Sequence, residues 1–408
     1  MADTYASKQA RQSPDPDTSG RNKRALIGEA LAELVAAAGG GGPRLRIGLM
    51  AAGGEVPVED YLQGAALAMR HDPRIQAVGL GPRPDALLPP GMDWIETPAC
   101  EADMAAAMEK ALESTGHGAL HGAVALHYPF PVGVATLGRI QTPARGRPMI
   151  LASSTGISAP HRACAMLRNA LYGIAAAKAL GVENPSLGVL NLDAAPQVLR
   201  ALARLRERGY PVRFGESVRS DGGALLRGND LLAGAADVCV CDTLTGNVLM
   251  KVFAAFNSGG VYETAGWGYG PSAGEGWDKV VSIISRASGA PVIANALACT
   301  AQAVRGNLPG RVAEELRAAR AAGLDGELAA LEPQAASAQD APPAMPPVEP
   351  TDEEIHGIDV LDLENAVHAL WKVGIYAEAA MGCTGPVIKL AAAARARAGE
   401  VLRAAGYV

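Results

Sequence analysis

One cysteine near the carboxyl end, Cys383, has neighbours suited to covalent catalysis. It lies in the segment Met-Gly-Cys-Thr-Gly-Pro, residues 381–386. The two glycines allow close backbone approach, and Pro386 suits the first turn of a predicted terminal helix. Free N–H groups at a helix N-terminus, here those of Thr384 and Gly385, can stabilise a thiolate and the oxyanion of an acyl intermediate. The alternative is a small apolar side chain packed in a tight turn.

A second group of polar residues joins a predicted buried strand, 238–241, to a predicted helix, 248–256. Amides and hydroxyl groups at a strand–turn–helix junction can bind phosphate oxygens, and a lysine in the helix adds positive charge. An ordinary turn, in which the glycine is needed for its backbone dihedral angles, fits the composition equally well. The candidate phosphate- or substrate-binding residues are Asp242, Thr243, Thr245, Gly246, Asn247 and Lys251.

A third candidate, Arg286 with Ser288, follows the strand predicted over 281–285 and precedes another helix. Arginine offers paired donors to phosphate, and ligand crevices of α/β proteins lie at the carboxyl ends of strands. A surface salt bridge is the alternative for Arg286. His127 also ends a predicted strand and could act as an acid or base. A structural histidine is the more frequent case, so we leave His127 out of the candidate site.

Two further patterns do not predict a site. Gly266–Pro271 is glycine-rich, but no predicted strand leads into it and no helix follows, so it is not a dinucleotide fingerprint. The alternatives for this segment are a mobile lid, the wall of an acyl channel and a plain loop. Cys239 and Cys241 would point to one face of a strand, where they could share a metal ion. However, no further Cys or His is close enough in sequence to complete a set of metal ligands. We therefore predict structural cysteines and no metal.

The elements that must position these residues alternate along the chain. Alternation of strands and helices predicts an α/β fold with mainly parallel sheets and right-handed crossovers. The predicted strands are 45–50, 77–80, 123–127, 149–152, 187–191, 238–241 and 281–285. The predicted helices are 24–38, 58–69, 101–112, 162–180, 197–208, 248–256, 291–305, 311–322, 361–373 and 386–405.

Composition changes along the chain predict its domains. A disordered tail covers 1–23, and a proline-rich linker covers 331–353. The first α/β domain comprises 24–148 with 291–330 and 354–408, and the second comprises 149–290. We expect the segment after the linker to dock on the main body or on a partner.

Bulk composition excludes several classes of protein. Of the 408 residues, 49% are hydrophobic but only 4% are aromatic, which suits sheets covered by helices and built from Ala, Val, Leu and Ile. A net charge of −6 without a basic stripe argues against nucleic acid as a partner. There is no apolar run of membrane-spanning length and no secretory signal, and the six cysteines form no disulfide framework. We expect a cytoplasmic protein.

In these residues and motifs, the sequence resembles the smaller subunit of component C of the glycine, sarcosine and betaine reductases, in the phosphate acyltransferase superfamily. The similarity covers nearly the whole chain after the tail. It is most evident in five stretches, 46–70, 127–156, 237–251, 285–295 and 357–386.

The resemblance implies an isopropylmalate-dehydrogenase-like fold, with two α/β domains, a cleft between them and an oligomeric assembly. It implies that Cys383 holds an acyl group as a thioester, and that phosphate releases the group as acyl phosphate. It implies a larger ketoacyl-synthase-like partner subunit, with a selenoprotein or an acyl carrier as further candidate partners. No cofactor is expected.

Three functions therefore stay open. The first is acyl transfer between a Cys383 thioester and inorganic phosphate. The second is a phosphate acyltransferase that uses acyl-carrier or acyl-coenzyme A thioesters without a covalent enzyme intermediate. The third is a non-catalytic partner of a ketoacyl-synthase-like subunit.

Overall fold

The computed structural model describes residues 44–116, 118–220, 222–258, 266–332, 343–356, 358, 362–382 and 385–407. The chain divides into two compact units at the boundary between Glu332 and Pro333. The predicted tail and the helix predicted over 24–38 lie outside the described residues, as do Cys383 and Thr384.

The first unit alternates strands and helices, as predicted. Its strands are β1 Leu45–Met50, β2 Ile75–Gly81, β3 Asp93–Glu96, β4 Gly122–Ala125, β5 Val134–Gln141, β6 Pro148–Gly156, β7 Ser186–Leu190, β8 Arg213–Phe214, β9 Leu225–Leu226, β10 Val238–Val240, β11 Gly270–Gly274 and β12 Val281–Ile283. Its helices are α1 Val58–His71, α2 Glu101–Glu113, α3 Arg162–Ala179, α4 Ala195–Glu207, α5 Gly228–Ala233, α6 Thr243–Asn257, α7 Ala290–Arg305, α8 Leu308–Ala321 and α9 Leu324–Leu331.

These strands form one sheet in the order β3-β2-β1-β4-β12-β11-β5-β6-β10-β7-β8, with β9 also paired to β7. At one end of the sheet, the strands are mutually parallel and are β3, β2, β1, β4 and β12. At the other end, β6, β10, β7 and β8 are also mutually parallel. The two parallel groups are joined by antiparallel pairs. Residues 270–271 of β11 pair with β12, and 272–274 pair with β5. The prediction of a mixed α/β fold with a mainly parallel sheet is confirmed.

The parallel strands are apolar because they are covered on both faces. Every residue of β4 and β7 is buried, as is every residue of β1 except Arg46. Helix α3 is buried along nearly its whole length and is rich in alanine, which allows close packing against the sheet and the neighbouring helices. Small aliphatic residues thus fill the interior, as the low aromatic content predicted. No helix in the described part of the chain is long and apolar enough to cross a bilayer.

The second unit is a small α+β structure. It contains β13 Glu353–His356, α10 Leu363–Lys372, β14 Ala377–Gly382, β15 Gly385–Leu390 and α11 Arg395–Ala404. Its antiparallel strands are ordered β13-β15-β14. It has a hydrophobic core of its own, formed by Ile358, Leu363, Ala366, Val367, Leu370, Ile375, Ala377, Ile388, Leu390, Ala398 and Leu402.

The second unit corrects two predictions. Residues 354–408 belong to this separate unit and were predicted to belong to the first α/β domain. The prediction of a helix over 386–405 is wrong, because residues 385–390 form the central strand β15 and α11 begins only at Arg395. The β-branched residues Val387 and Ile388 are fully buried between two neighbouring strands, and this tertiary pairing outweighs the helical preference of the Ala-rich residues that follow. The division of the first unit into two α/β domains stays a prediction.

Candidate active site

A cleft of ≈ 530 Å³ opens where the carboxyl end of β6 meets the beginnings of α3 and α6. Strands β6 and β10 are parallel neighbours, so their carboxyl ends lie together at one edge of the sheet. The cleft is lined mainly by hydroxyl-bearing and small side chains. They are Ser154, Thr155, Gly156, Ile157, Ser158, Ala159, Pro160, Arg162, Ala165, Asn169, Asp242, Thr243, Leu244 and Asn247.

A directed chain of hydrogen bonds fixes Thr243 in this cleft. Its hydroxyl donates to the carbonyl oxygen of Gly156 at 3.1 Å, and its oxygen lies 2.9 Å from Ser153 Oγ. The single proton of Thr243 is used on the carbonyl, so Ser153 must donate to Thr243. Asn169 Nδ2 then donates to Ser153 Oγ at 3.2 Å. The Thr243 hydroxyl, predicted as a phosphate donor, is therefore committed to the protein in this structure.

The start of α6 is capped by Asp242. Its carboxylate accepts hydrogen bonds from the Thr245 amide at 2.9 Å and from the Thr245 hydroxyl at 3.0 Å. The Thr245 hydroxyl therefore binds the cap, although it too was predicted to bind phosphate. An aspartate at this position satisfies one amide of the first helical turn and stabilises the helix.

Gly246 permits close packing of α6 on β6. A Cβ atom at this position would overlap the carbonyl oxygen of Ser153. Its φ does not lie in the left-handed region, so the glycine is required for close approach and not for its dihedral angles.

The amides of Thr243 and Leu244 are the donors that remain at the start of α6. Among the described residues neither amide has a hydrogen-bond partner, as expected for the first N–H groups of a helix. Both residues line the cleft, where the positive end of the helix dipole favours an anion. The cleft can therefore bind an anion through backbone amides.

Asn247 and Lys251 lie further along α6 and are hydrogen-bonded to each other. Asn247 Nδ2 donates to the Ser154 carbonyl at 3.3 Å, and its Oδ1 accepts from Lys251 Nζ at 3.0 Å. Lys251 also donates to the Tyr269 hydroxyl at 2.6 Å. Asn247 lines the cleft, whereas Lys251 does not line it and contacts Tyr269.

Arg286 and Ser288 do not line this cleft. The Arg286 guanidinium forms an ion pair with Glu101 at the start of α2, and its carbonyl accepts the Glu55 amide at 2.7 Å. Ser288 Oγ accepts the Ser285 amide at 3.1 Å, which closes the turn before α7. The surface salt bridge left open for Arg286 is thus present, and a role of either residue in phosphate binding stays a prediction.

A groove of ≈ 460 Å³ adjoins the cleft. The two share Thr155, Gly156 and Ile157 as a common wall. Its other lining residues follow β4 or end β12, and most are apolar. They are Leu126, His127, Tyr128, Pro129, Phe130, Pro131, Val132 and Ile283.

The roles of β6 and α3 in this site were not predicted from the sequence. Ser153, Thr155 and Asn169 help to form it, and none of them was a candidate. The hydroxyl-rich run at 153–155 was the available signal, because it directly follows the strand predicted over 149–152.

The paired cysteines before α6 are structural in character. Burial raises the pKa of the Cys239 thiol to about 12 and also raises the pKa of Cys241 well above its ordinary value. Among the described residues, no group of three or more His, Cys, Asp or Glu side chains is placed to hold a metal ion.

The described residues on either side of Cys383 belong to two antiparallel strands. Strands β14 and β15 pair in register up to Gly382 and Gly385, and Cys383 and Thr384 between them lie outside the described residues. No helix begins at Pro386, so the helix N-terminus proposed to activate the thiol is absent there. The roles of Cys383, Thr384 and Gly385 stay predictions.

Comparison with known proteins gives the class of this protein. The chain matches the fatty acid synthesis protein family over residues 45–389 and belongs to that family. The chain is 45% identical over 386 residues to the glycine/sarcosine/betaine reductase complex component C subunit alpha of Peptoclostridium acidaminophilum. That alignment covers 94% of this chain and 98% of the relative. The resemblance to component C is confirmed, but the designation as its smaller subunit stays a prediction.

More distant relatives are phosphate acyltransferases. The enzyme of Acetivibrio thermocellus is 37% identical over 79 residues, which cover 19% of this chain and 22% of the relative. A branched-chain phosphotransacylase from Enterococcus faecalis has a TM-score of 0.43 at 15% identity, covering 64% of this chain and 99% of that chain. This TM-score does not establish a common fold, so the isopropylmalate-dehydrogenase-like fold stays a prediction.

Proposed function

We propose that the protein is a cytoplasmic acyltransferase subunit that moves an acyl group between a Cys383 thioester and inorganic phosphate. The name of its relative, component C subunit alpha of a reductase complex, supports a subunit role. The matches to phosphate acyltransferases support transfer of an acyl group to or from phosphate. The observation on which the proposal rests is the cleft at the start of α6, with its two unpartnered amides.

The transfer proceeds in two steps. The Cys383 thiolate first attacks the carbonyl carbon of the acyl donor, and the donor's leaving group departs. An oxygen of hydrogen phosphate then attacks the thioester carbonyl, the C–S bond breaks, and the proton of the phosphate passes to the sulfur. The products are acyl phosphate and the free thiol. The reverse direction uses the same groups.

Phosphate is held by the amides of Thr243 and Leu244, assisted by the helix dipole. Asp242, Thr245 and Gly246 position these amides through the cap and the close contact with β6. Asn247 ties α6 to the end of β6. The protein thus binds the anion mainly through backbone groups that are ordered by side chains.

The proposed assembly is an oligomer with a larger ketoacyl-synthase-like subunit. A selenoprotein or an acyl carrier is the proposed source of the acyl group. The relative is named as part of a complex, which supports a partner subunit of some kind.

The test is intact-protein mass spectrometry after incubation with acetyl phosphate or acetyl-coenzyme A. We expect an acyl adduct that maps to Cys383 and is discharged by phosphate. The variant Cys383→Ala should lose the adduct, whereas Cys100→Ala, which removes an exposed cysteine elsewhere, should retain it. An adduct of unchanged yield in Cys383→Ala would contradict the covalent mechanism.

A second candidate is direct transfer from acyl-coenzyme A or an acyl carrier to phosphate without an enzyme thioester. It is favoured by the position of the cleft and its adjoining groove, which both lie entirely within the first unit. Full turnover by Cys383→Ala would select this candidate.

A further inference from the structure

Asn169 on α3 lines the cleft and carries a buried oxygen atom without a partner. The residue is only 1% exposed. Its Nδ2 donates to Ser153 Oγ at 3.2 Å, whereas its Oδ1 has no hydrogen-bond partner in the part of the chain that the structure describes. Burial of a polar atom without a partner costs free energy, so such an atom in a cleft indicates a ligand that completes it. An amide oxygen only accepts hydrogen bonds, and the ligand must therefore bring a proton.

The orientation of the Asn169 amide follows from the protons of its neighbours. The single hydroxyl proton of Thr243 is bound to the Gly156 carbonyl, so the Ser153 hydroxyl donates to Thr243. The Ser153 oxygen can then only accept from Asn169, which must present Nδ2 to it and leave Oδ1 without a partner. Because Asn169 and Thr243 are bonded to the same oxygen atom, Asn169 lies beside the start of α6.

The hydroxyl groups at the end of β6 have already used their protons. Ser154 donates to the Tyr269 carbonyl at 2.6 Å, which uses its single proton. Thr136 must then donate to Ser154 across 2.8 Å, and Thr155 must donate to Thr136, also across 2.8 Å. Thr155 lines the cleft, but it has no hydroxyl proton left for a ligand.

The cleft thus offers hydrogen-bond donors and an acceptor on different elements. The donors include the amides of Thr243 and Leu244 at the start of α6, and Arg162 at the start of α3 adds a positive charge. The acceptor is Asn169 Oδ1. A tetrahedral anion that has lost every proton can use the donors only. Hydrogen phosphate combines acceptor oxygens with one P–OH group, so it can use both.

We propose that Asn169 determines which anion the cleft accepts. Its Oδ1 accepts a hydrogen bond from the P–OH group of hydrogen phosphate, and the cleft thereby selects this ion over tetrahedral dianions without a proton. The inference deepens the proposed function and rests on it, because it names the side chain that recognises the phosphate. Sulfate and fluorophosphate have the same charge and nearly the same size. Either ion would place an acceptor atom against Oδ1 and leave that oxygen unpartnered.

Isothermal titration calorimetry with phosphate, fluorophosphate and sulfate tests the inference without requiring turnover. At a slightly alkaline pH the prevailing form of each is a dianion, and only phosphate still carries a proton. A hydrogen bond to a charged group contributes about 10- to 100-fold to affinity. The wild-type protein should therefore bind phosphate at least about tenfold more tightly than either of the other anions.

Asn169→Ala removes the acceptor, so the preference for phosphate should fall to about twofold or less. The variant also removes the hydrogen bond to Ser153, which loosens the start of α6 and weakens all three anions alike. The ratio of the affinities, and not the affinity for phosphate, therefore reports on the acceptor. Asn169→Leu fills the same space without an amide and serves as a second variant should the alanine variant fail to fold.

The matched control is Asn247→Ala, because Asn247 is a second asparagine that lines the cleft. Both groups of its amide are already bonded to protein, Nδ2 to the Ser154 carbonyl and Oδ1 to Lys251 Nζ. Any loss of affinity in this variant should be shared by the three anions, so the wild-type preference should remain. Circular dichroism verifies that the variants are folded.

The outcomes separate this inference from the proposed function. Equal affinity of the wild-type protein for phosphate and fluorophosphate would overturn the inference, while phosphate binding itself would stand. A preference that survives in the Asn169 variants would also overturn it. A preference that is lost in these variants and kept in Asn247→Ala would establish it, even if no covalent adduct formed on Cys383. Binding of none of the three anions would overturn both the inference and the phosphate site.

Discussion

Two strand–turn–helix segments of the first unit look alike in sequence and differ in their surroundings. The turn from β10 to α6 and the turn from β12 to α7 both follow buried strands, contain hydroxyl-bearing residues and precede long helices. The first turn lies in the cleft and keeps two amides without partners. In the second turn, Arg286 is paired with Glu101, and Ser288 closes the turn itself.

The difference lies in what packs against each turn. The carboxyl end of β6 lies against α6. It supplies the Ser153 hydroxyl and the Gly156 carbonyl, which fix Thr243 and leave the amides at the cleft. The loop after β1 lies against the other turn, where Glu55 donates to the Arg286 carbonyl. A local pattern suited to anion binding therefore becomes a site only when its neighbours leave its donors accessible.

The largest expected effect comes from the glycines at the starts of α6 and α7. Gly246→Ala would drive a Cβ into the Ser153 carbonyl, which is backbone and must shift. We expect a loss of about 1–3 kcal/mol in the free energy of unfolding, because the contact lies between two packed elements. Gly289→Ala is the matched change before α7, where the nearest atoms lie 3.9 Å from the added Cβ. Gly289 is the N-cap of α7, where alanine is less favourable than glycine, so this change should cost no more than about 1 kcal/mol. Equal losses in the free energy of unfolding of the two variants, measured by urea denaturation, would contradict the comparison.

The next effect concerns the hydrogen-bonded chain at Thr243. Thr243→Val keeps the shape of the side chain but removes both bonds of the hydroxyl group, to Ser153 and to Gly156. A buried polar group without a partner costs about 1–3 kcal/mol, and the released α6 should bind phosphate more weakly. Thr243→Ser retains the hydroxyl and should stay close to wild type in both thermal denaturation and phosphate titration. Equal behaviour of the two variants would show that the hydroxyl does not order the site.

A smaller effect is expected at the second turn. Arg286→Gln removes an exposed ion pair with Glu101, and such pairs contribute little. The Arg286 guanidinium does not line the cleft, so we expect the KM for phosphate to change by about twofold at most. Glu101→Gln is the control, since it breaks the same pair and leaves the guanidinium in place. A large rise in KM for Arg286→Gln alone would assign both turns to phosphate binding.

The smallest expected effect concerns the buried thiols, which should not react with iodoacetamide at pH 8. Burial raises the pKa of Cys239 to about 12 and of Cys299 to about 11, so the reactive thiolate is scarce until the pH approaches those values. Peptide mapping should find no label on either residue in the native protein. Cys100 is exposed and should be labelled, and we predict the same for Cys383. Early labelling of Cys239 would show that the strand before α6 opens in solution.

The sequence by itself determined the class of fold and identified one segment of the cleft. Apolar runs between turns predicted β1 and most other buried strands of the first unit, since a strand covered on both faces must be apolar throughout. The polar residues at 242–247 were identified because turn chemistry is local. Asp242, Thr243 and Asn247 do line the cleft.

Only the tertiary structure decided which of the donors face the cleft and what lies beside it. The Thr243 hydroxyl is bound to Gly156 and Ser153, which are distant in sequence, and the groove beside the cleft forms from the ends of β6 and β12 and the segment after β4. The terminal segment shows the same limit. Residues 385–390 form a strand because β13 and β14 flank them, and pairing with distant residues cannot be inferred from a local helical pattern.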